Sequence, residues 1–339
     1  MLVGVDDDWV KWRADTPGLV RIQRDAGFDT VKVMFPWRPG MLHPGTIEQH
    51  YISRLSRMSL LRQRVVLAFA GRARHAPRTP RARDQFCRYV RGIVAAVPGA
   101  RDIVIWNEVN SPSFWRPQRD APRQYAALLG RCWDELHALR PDVNVISSTA
   151  PRHNPLQFVR GVGAAYRASG RTRPLVDTFG HNPYPSVSSE SPAAVHENGY
   201  VGQGDYDALV RAIQVSFSGT HQPLLGEQGV TIWYLEDGFQ TRTPFGRPLY
   251  HGLENELALI PALAPGPVVD QVDQLQRALA LAYCQQPLVG ALFNFQLADE
   301  RRLAGWQSGL LWANWQPKPS YAPLRDLLAQ ITSGAYACG

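Results

Sequence analysis

The sequence has few cysteines and lysines and no long apolar run, and each shortage narrows the possible functions. No apolar stretch approaches the ~20 residues that a membrane-spanning helix needs, so we expect no membrane association. The four cysteines show no C-x-x-C spacing, a pattern found in many metal and redox sites. Cys87, Cys132 and Cys284 fall within predicted helices, where a small buried apolar side chain is the usual interpretation. A disulfide stays open for Cys87 and Cys132, which lie on predicted neighbouring helices.

Lysine occurs only at positions 11, 32 and 318, so arginine supplies nearly all the positive charge behind the net charge of +7. The arginines are dispersed along predicted helices and loops and form no basic block. No aromatic and basic motif of an RNA-binding module accompanies them. We therefore interpret the excess positive charge as a solvated, arginine-rich surface and expect no nucleic-acid partner.

The motifs of metal-dependent and cofactor-dependent enzymes are also missing. The nine histidines show neither H-x-H nor H-x-x-x-H spacing, which disfavours a metal-assisted barrel hydrolase. There is no P-loop, no G-x-G-x-x-G after a predicted strand and no G-x-S-x-G elbow, so we expect no cofactor. No secretion leader precedes Leu2, although a mature form trimmed of its leader would look the same. The oligomeric state and the compartment stay open, with secretion favoured over the cytoplasm.

What the sequence does contain is a regular alternation of short apolar runs and longer stretches with helical periodicity. The predicted strands cover residues 2–6, 30–35, 65–70, 103–107, 143–147, 176–180, 230–235 and 290–297. The predicted helices cover residues 18–26, 48–62, 82–97, 122–139, 155–168, 206–217, 269–285 and 320–331. Eight such units, with no break in composition between the halves, predict an α/β fold consisting of a single (β/α)8 TIM barrel over residues 1–339.

The long connecting segments are residues 71–81, 186–205 and 237–268. Each follows a predicted strand and precedes a predicted helix, so we expect elaborated βα loops on the rim where barrel enzymes carry their active sites. The proline-rich piece at residues 261–267 is interpreted as part of such a rim loop and not as a domain linker.

The fourth predicted strand runs into the sequence Trp106-Asn107-Glu108. A glutamate at the carboxyl end of a buried strand, beside an aromatic residue, is placed to have its pKa raised by partial desolvation, as a general acid near neutral pH requires. Asn107 can hydrogen-bond a sugar 2-hydroxyl group without adding charge. The alternative is a surface glutamate in a polar loop. The apolar strand before it favours a catalytic acid at Glu108.

Two glutamates are candidates for the partner carboxylate. Glu227 lies in a glycine-flanked segment with only two apolar residues before it. Glu236 ends the run 230–235, which is dense in β-branched and aromatic residues, and Asp237-Gly238 after it forms a sharp exit from a strand. We favour Glu236 and keep Glu227 as the alternative.

Strands four and seven of an eight-stranded barrel face each other across its mouth, so Glu108 and Glu236 can meet although they are far apart in sequence. In retaining glycosidases, two carboxyl groups about 5 to 5.5 Å apart act as acid/base and nucleophile. The pattern therefore predicts that Glu236 attacks the anomeric carbon of a β-linked glycan or glycoside while Glu108 protonates the leaving oxygen. Glu108 then activates the water that hydrolyses the glycosyl-enzyme.

Further polar and aromatic residues lie near predicted strand ends. Tyr184, after the sixth strand, can donate a hydrogen bond to the nucleophile and keep it ionised. His181 is either a substrate ligand or a packed core histidine. The other candidate sugar-binding groups are Asp6, Asp7, Asp8, Asn182, Asn294 and Gln296, and the candidate stacking platforms are Trp37, Trp115, Trp306 and Trp312. For each of these the alternative is a solvated cap or simple loop packing.

At these residues the chain resembles the clan-A retaining glycoside hydrolases, the superfamily of cellulase-like and β-xylosidase-like barrels. The resemblance covers essentially the whole chain. It is most specific at Trp-Asn-Glu, residues 106–108, and at Trp-Tyr-Leu-Glu-Asp-Gly, residues 233–238, which is similar to the clan's W-x-x-E-x-G pattern on strand seven. The resemblance implies an acid/base at Glu108 next to Asn107 and a nucleophile at Glu236. Within the clan it is nearest to actinobacterial barrels, which supplies no substrate.

The chain departs from the clan's pattern in three places. Val109 stands where a proline often follows the acid/base. The H-x-Y element after strand six reads Asn182-Pro183-Tyr184, with His181 one position early. The eighth strand lacks the tryptophan that often forms the floor of the sugar subsite, which leaves the substrate class open.

The sequence therefore predicts a retaining O-glycoside hydrolase that acts on a plant- or microbe-derived β-glycan or glycoside. The alternative, from another class of protein, is a catalytically inactive carbohydrate-binding barrel. Activity on aryl glycosides distinguishes the two, because only the enzyme cleaves them.

Overall fold

The computed structural model describes residues 1–245, 268–302 and 305–338. Along these residues, strands alternate with helices. The strands are β1 (Leu2–Asp6), β2 (Thr30–Pro36), β3 (Arg64–Ala70), β4 (Asp102–Ile105), β5 (Asn144–Ile146), β6 (Phe179–His181), β7 (Ile232–Asp237) and β8 (Val289–Phe295). The α-helices are α1 (Trp9–Trp12), α2 (Thr16–Asp25), α3 (Thr46–Leu60), α4 (Pro80–Ala96), α5 (Ala121–Leu139), α6 (Pro155–Ala168), α7 (Tyr206–Phe217), α8 (Val268–Cys284) and α9 (Tyr321–Thr332).

All eight strands belong to one parallel sheet, in the order β5-β4-β3-β2-β1-β8-β7-β6. The remaining gap between β5 and β6 is spanned by a parallel bridge between Ile146 and Thr178. Each predicted strand and helix overlaps an observed one, and the predicted (β/α)8 barrel is confirmed. The carboxyl ends of all the strands therefore open at the same end of the barrel, which is where the candidate site lies.

Two apolar clusters hold the barrel together, because successive side chains of a strand point to opposite faces. The inner cluster includes Val66, Val104, Ile146, Trp233 and Phe293. The outer cluster is larger and joins the outward side chains of the strands to the helices. The barrel interior is thus filled by side chains, and any substrate has to bind at the mouth.

Local signals in the sequence set where several helices begin. The Asp15 carboxylate accepts a hydrogen bond from the backbone N–H of Gly18 at 2.9 Å, and the Thr79 hydroxyl accepts one from Ala82 at 3.2 Å. Both residues satisfy backbone donors that the first turn of a helix leaves unpaired. α2, α4, α5 and α6 also carry a proline in the first turn, where its missing N–H costs nothing.

The connections after β3, β6 and β7 are long, as the sequence predicts, and the connection after β8, residues 296–320, is a long loop that the sequence analysis missed. Residues 246–267, including the predicted rim piece 261–267, lie outside the described residues. In the loop after β6, the His196 ring pairs with Asp205 at 2.7 Å and with Glu190 at 3.2 Å. These contacts link three positions within the loop that follows β6.

The cysteines form two disulfides, one joining Cys87 to Cys132 and one joining Cys284 to Cys338. The interpretation of three of them as buried apolar thiols is therefore wrong. Cys87 lies on α4 and Cys132 on α5, and their Cα atoms are 5.0 Å apart, within the range a disulfide spans. Sequence spacing does not report this distance, since it depends on how the two helices pack.

All three lysines are buried and ion-paired near the carboxyl ends of the strands. Lys11 contacts Asp8 at 2.8 Å, and Lys318 contacts Asp299 at 2.7 Å. Lys32 contacts two carboxylates and is part of the site described below. Within residues 1–245, 268–302 and 305–338, no helix is both long and apolar enough to cross a membrane.

Candidate active site

The site begins where β4 ends. The strand stops at Ile105, two residues earlier than predicted, because Trp106 has a left-handed backbone with φ 64°. Glu108 is also left-handed, with φ 42°. Such a conformation costs about 1–3 kcal/mol for each residue, so the surroundings must hold it. The Trp106 indole N–H donates to the carbonyl of Phe114 at 2.9 Å and thereby fixes the turn.

The same turn aims Asn107 and Glu108 at the barrel mouth. Ser148, which follows β5, accepts a hydrogen bond from the backbone N–H of Glu108 at 3.1 Å, and its hydroxyl donates to Asn107 Oδ1 at 3.2 Å. Tyr125 of α5 supports both strands from behind: its hydroxyl donates to the Ile105 carbonyl at 2.7 Å and accepts from the Ser148 N–H at 3.0 Å. The acidic side chain is therefore held by a rigid frame.

Glu108 is a carboxyl group kept protonated near neutral pH. Burial, together with the negative charge of Glu236, raises its pKa to about 8, although a hydrogen bond from Asn182 Nδ2 to its Oε1 at 2.9 Å acts in the opposite direction. Because the charge of Glu236 acts on it, the two glutamates share one electrostatic environment. Glu108 can therefore donate a proton at neutral pH.

Glu236 lies at the carboxyl end of β7, opposite β4, and is almost completely buried. The Lys32 ammonium donates to its Oε1 at 2.8 Å, and the Tyr184 hydroxyl donates to its Oε2 at 3.2 Å. Both carboxylate oxygens thus accept a hydrogen bond, and one of them accepts it from a cation. β7 deviates from regular pairing with β8 between Tyr234 and Asp237, which lets Glu236 face the mouth.

Lys32 was missed by the sequence analysis, although its ammonium group supplies positive charge directly beside Glu236. Its side chain is completely buried on β2 and contacts Asp6 Oδ2 and Glu236 Oε1, both at 2.8 Å. Burial alone would lower the pKa of Lys32, but the charges of Asp6 and Glu236 outweigh this effect and raise it, so the amine stays protonated. The signal was present: a lysine within an apolar parallel strand needs a buried partner.

The segment after β6 connects the two glutamates. Asn182 contacts Glu108, and Tyr184, two residues later, contacts Glu236. Burial and the surrounding carboxylates raise the pKa of Tyr184, so its hydroxyl stays protonated and acts as a donor. The structure thus brings together five of the residues named from the sequence, namely Asp6, Glu108, Asn182, Tyr184 and Glu236.

Trp306, in the loop after β8, extends this group. Its ring stacks on the Tyr184 ring, with centroids 5.1 Å apart, and meets the Phe295 ring edge-on, with centroids 5.0 Å apart. The Trp306 side chain is only partly buried. Among the candidate tryptophans it is the one that offers an open ring beside the glutamates. Trp306 belongs to the loop that follows β8, whereas β8 itself contains no tryptophan.

His181 is a core residue, and its proposed role as a substrate ligand is wrong. One ring nitrogen contacts the Thr149 hydroxyl and the other contacts the Val201 carbonyl, both at 2.9 Å. Burial lowers its pKa to about 4, so the ring is neutral at physiological pH. With both nitrogens used internally, none is left for a sugar.

Three tryptophans proposed as stacking platforms are also core residues. Trp37 and Trp115 both pack edge-on against Trp106 in a buried aromatic cluster. Trp312 is buried beneath Lys318, whose ammonium lies 4.8 Å from the ring centroid. None of the three exposes a face on which a pyranose could stack.

The two polar residues proposed on β8 have different locations. Asn294 lies in a small cavity outside the barrel, between β8 and α8, and its amide donates to the Gln296 carbonyl at 2.7 Å. Its proposed contact with a sugar is therefore wrong. Gln296 follows the carboxyl end of β8, where its amide donates to Glu300 at 3.4 Å, and its role in binding stays a prediction.

The remaining carboxylates near the first and seventh strands have structural partners. Asp7 accepts from the backbone of Trp9, and Asp8 accepts from the backbone of Met34 and pairs with Lys11. Glu227 is exposed in a turn before β7, at the amino end of the barrel. It therefore lies at the opposite end from Glu108 and cannot act with it.

No group of three or more His, Cys, Asp or Glu side chains in the described part of the chain is arranged to hold a metal ion. The described side chains at this site supply the carboxyl groups of Asp6, Glu108 and Glu236, the phenol of Tyr184 and the ammonium group of Lys32.

No protein family model and no curated protein sequence matches the chain. Solved structures do match. A family 39 glycoside hydrolase from the gut symbiont Bacteroides cellulosilyticus WH2 is 17% identical, with a TM-score of 0.67 over 96% of this chain and 63% of that one. The GH53 catalytic domain of Ignisphaera aggregans is 13% identical, with a TM-score of 0.64 over 96% of each chain. A structure of fungal β-1,4-galactanases is 14% identical, with a TM-score of 0.64 over 96% of this chain and 99% of that one.

These likenesses establish the barrel fold. The chain spans less than two thirds of the length of the family 39 hydrolase that it matches. At such low identities the activity of these proteins does not transfer by similarity, so the function has to be argued from the site itself.

Proposed function

We propose that the protein is a retaining O-glycoside hydrolase that cleaves a β-linked glycan or glycoside by double displacement. One observation carries the proposal: two glutamates at the barrel mouth occupy different environments. Glu236 accepts hydrogen bonds from Lys32 and Tyr184, whereas burial raises the pKa of Glu108 to about 8. A pair of carboxyl groups separated in this way is what acid and nucleophile roles require.

In the first step, Glu236 attacks the anomeric carbon, and the bond to the leaving oxygen breaks as Glu108 gives that oxygen its proton. Lys32 and Tyr184 keep the attacking carboxylate ionised and oriented. In the second step, Glu108, now ionised, removes a proton from water, and the resulting nucleophile displaces Glu236 from the sugar. Asn107 is suited to bind the 2-hydroxyl group, because no described residue accepts a hydrogen bond from its Nδ2.

Trp306 supplies the apolar platform of the same subsite. Its ring is partly open and stacks on Tyr184, which itself contacts Glu236. A sugar packed on this ring would have its anomeric carbon close to the carboxylate. The match of the barrel to several glycoside hydrolases is consistent with this function.

A panel of aryl β-glycosides tests the proposal, with NMR used to identify the first-formed anomer. We expect cleavage with retention of configuration. Glu236→Ala should abolish turnover, and added azide should restore it through the open position and yield a glycosyl azide of inverted configuration. Glu227→Ala is the matched control, because this glutamate lies at the other end of the barrel, and it should keep full activity.

Normal hydrolysis by Glu236→Ala would overturn the assignment of the nucleophile. If the unmodified protein cleaves no aryl glycoside but still binds oligosaccharides, the alternative of an inactive carbohydrate-binding barrel is correct.

A further inference from the structure

A second cavity opens on the rim beside the candidate active site. Its volume is about 340 Å³, within the range of small-molecule pockets. Its walls come from the end of the β5–α6 connection, just before α6, and from the loop after β6. The residues that line it include Arg152, His153, Asn154, Ser186, Asn198 and Tyr200. We call this the Arg152 cavity.

Hydrogen bonds join this cavity to the segment that carries Glu108 and to the segment after β6 that contacts Glu236. Asn110, two residues after Glu108, donates to the Arg152 carbonyl at 2.6 Å. The Tyr200 hydroxyl donates to the Tyr184 carbonyl at 2.7 Å, and Tyr184 contacts Glu236. The cavity therefore adjoins the segment that follows Glu108 and the segment that contacts Glu236.

The lining residues carry one formal charge, that of Arg152, and the Glu190 carboxylate behind them accepts hydrogen bonds from the N–H and hydroxyl of the lining residue Ser186. None of its lining residues carries a carboxylate, and among the described residues no carboxylate lies within ion-pair distance of Arg152. Burial and the neighbouring Arg152 charge lower the pKa of His153, so this ring is neutral at physiological pH. The guanidinium of Arg152 is thus the one charge that lines the cavity.

Arg152 is an exposed residue that makes two contacts with the wall of the cavity. Its guanidinium donates to the Ser186 carbonyl at 3.1 Å and lies 5.8 Å from the centroid of the Tyr200 ring. Tyr200 is packed on its other side against His196, with ring centroids 4.7 Å apart. A guanidinium that is oriented but has no anionic partner retains most of its N–H donors for a planar oxyanion.

The backbone conformation around Gly199 and Asn154 shapes the cavity, and any side chain at Gly199 would disturb it. His153 and Asn154 both have left-handed φ angles, of 66° and 53°, and Gly199 has a φ of 79°. A Cβ atom at Gly199 would lie 1.9 Å from Asn154 Oδ1. The two loops therefore meet closely at the floor of the cavity.

We propose that the Arg152 cavity binds the carboxylate or sulfate group of an acidic sugar adjacent to the residue whose glycosidic bond is cleaved. This inference rests on the proposed function and names its substrate class, an anionic glycan. Asn154 and Asn198 offer amide groups for the hydroxyls of the same sugar.

Binding measurements test the proposal without depending on turnover. The probes are a glucuronic-acid-containing oligosaccharide, its carboxyl-reduced counterpart with a neutral glucose in the same position, and a sulfated oligosaccharide of equal length. Isothermal titration calorimetry at low salt should show the uronate binding about tenfold more tightly than its reduced counterpart, as expected for hydrogen bonds to a charged group. The sulfated probe shows whether the cavity distinguishes the two oxyanions.

Arg152→Gln should remove the preference for the acidic probe and leave the affinity for the reduced probe unchanged. Arg152→Lys should retain part of the preference, because it keeps the charge but loses the planar donor set. Arg101→Gln is the matched control: Arg101 is exposed, precedes β4 at the opposite end of the barrel, and its loss changes the net charge equally.

Equal affinity of the unmodified protein for the acidic and reduced probes, or a preference that survives in Arg152→Gln, would overturn the proposal. Failure of the proposed catalytic function gives a different result: the preference for the acidic probe persists and depends on Arg152, yet no glycoside is hydrolysed.

Discussion

The ammonium group of Lys32 lies 2.8 Å from Glu236 Oε1 and 2.8 Å from Asp6 Oδ2, with its side chain sealed from solvent. Side chains from β1, β2 and β7 therefore meet inside the barrel mouth. Burial raises the pKa of Asp6, and the Lys32 ammonium, which contacts both carboxyl groups, acts in the opposite direction.

Lys32→Met tests this relationship. The substitution leaves Asp6 and Glu236 buried without a counter-charge, and breaking a buried ion pair from one side costs about 3–5 kcal/mol. We expect turnover of aryl glycosides to collapse and the free energy of unfolding, measured in urea, to fall by that order.

Lys32→Arg is the matched control for charge, and Asp6→Asn in the Lys32→Met background removes one of the stranded carboxylates. The double variant should recover stability but not turnover. If Lys32→Met hydrolyses substrate at the normal rate, Lys32 has no part in orienting Glu236.

Under the proposed mechanism, the pKa of Glu108, raised to about 8, should set the alkaline limit of activity. A general acid must be protonated, so kcat/KM should decrease as the pH rises through about 8. The pH profile of Glu108→Gln should lack this limb. The loss of rate in Glu108→Gln should also be smallest for aryl glycosides with acidic phenols, since these leave without protonation. A limb that persists in Glu108→Gln would assign the titration to another group.

Trp306→Ala removes the ring that stacks on Tyr184. An aromatic face contributes about 0.5–1.5 kcal/mol beyond the area it buries, so KM should increase by up to about tenfold. Trp315→Ala is the control, because Trp315 is also partly buried but packs on Trp9 and Arg13. Equal effects of the two substitutions on KM would show that Trp306 acts only through packing of the loop.

The two disulfides should contribute to stability separately. Removing a native disulfide typically costs about 2–5 kcal/mol, so Cys87→Ser/Cys132→Ser and Cys284→Ser/Cys338→Ser should each lower the free energy of unfolding by that order. A thiol titration of the denatured, unreduced protein should find no free cysteine. Free thiols there would instead restore the interpretation of buried apolar cysteines.

The barrel could be predicted because its signals are local. Each strand is a short apolar run and each helix has its own periodicity, so the order of elements follows from the sequence with end errors of a few residues. The early end of β4 was missed, since the left-handed turn at Trp106 depends on tertiary contacts made by its indole.

The site could be predicted in part, for the same physical reason. Residues that follow parallel strands converge at one end of a barrel, which brings Glu108, Asn182 and Tyr184 together. The direction in which a side chain points was harder to infer. Asn294 lies outside the barrel, and both ring nitrogens of His181 contact neighbouring protein groups. The partnership of Lys32 and Glu236 joins residues on strands distant in sequence, which no local pattern reports.

The burial of every lysine has a practical consequence for handling the molecule. The ε-amino groups of Lys11, Lys32 and Lys318 are all enclosed and paired with carboxylates. Acylating dyes, biotinylation esters and glutaraldehyde react with unprotonated amines that meet solvent, so the folded barrel offers them no lysine side chain. Attachment to a surface or a label must use a group other than a lysine side chain, and any lysine acylation that does appear reports unfolding.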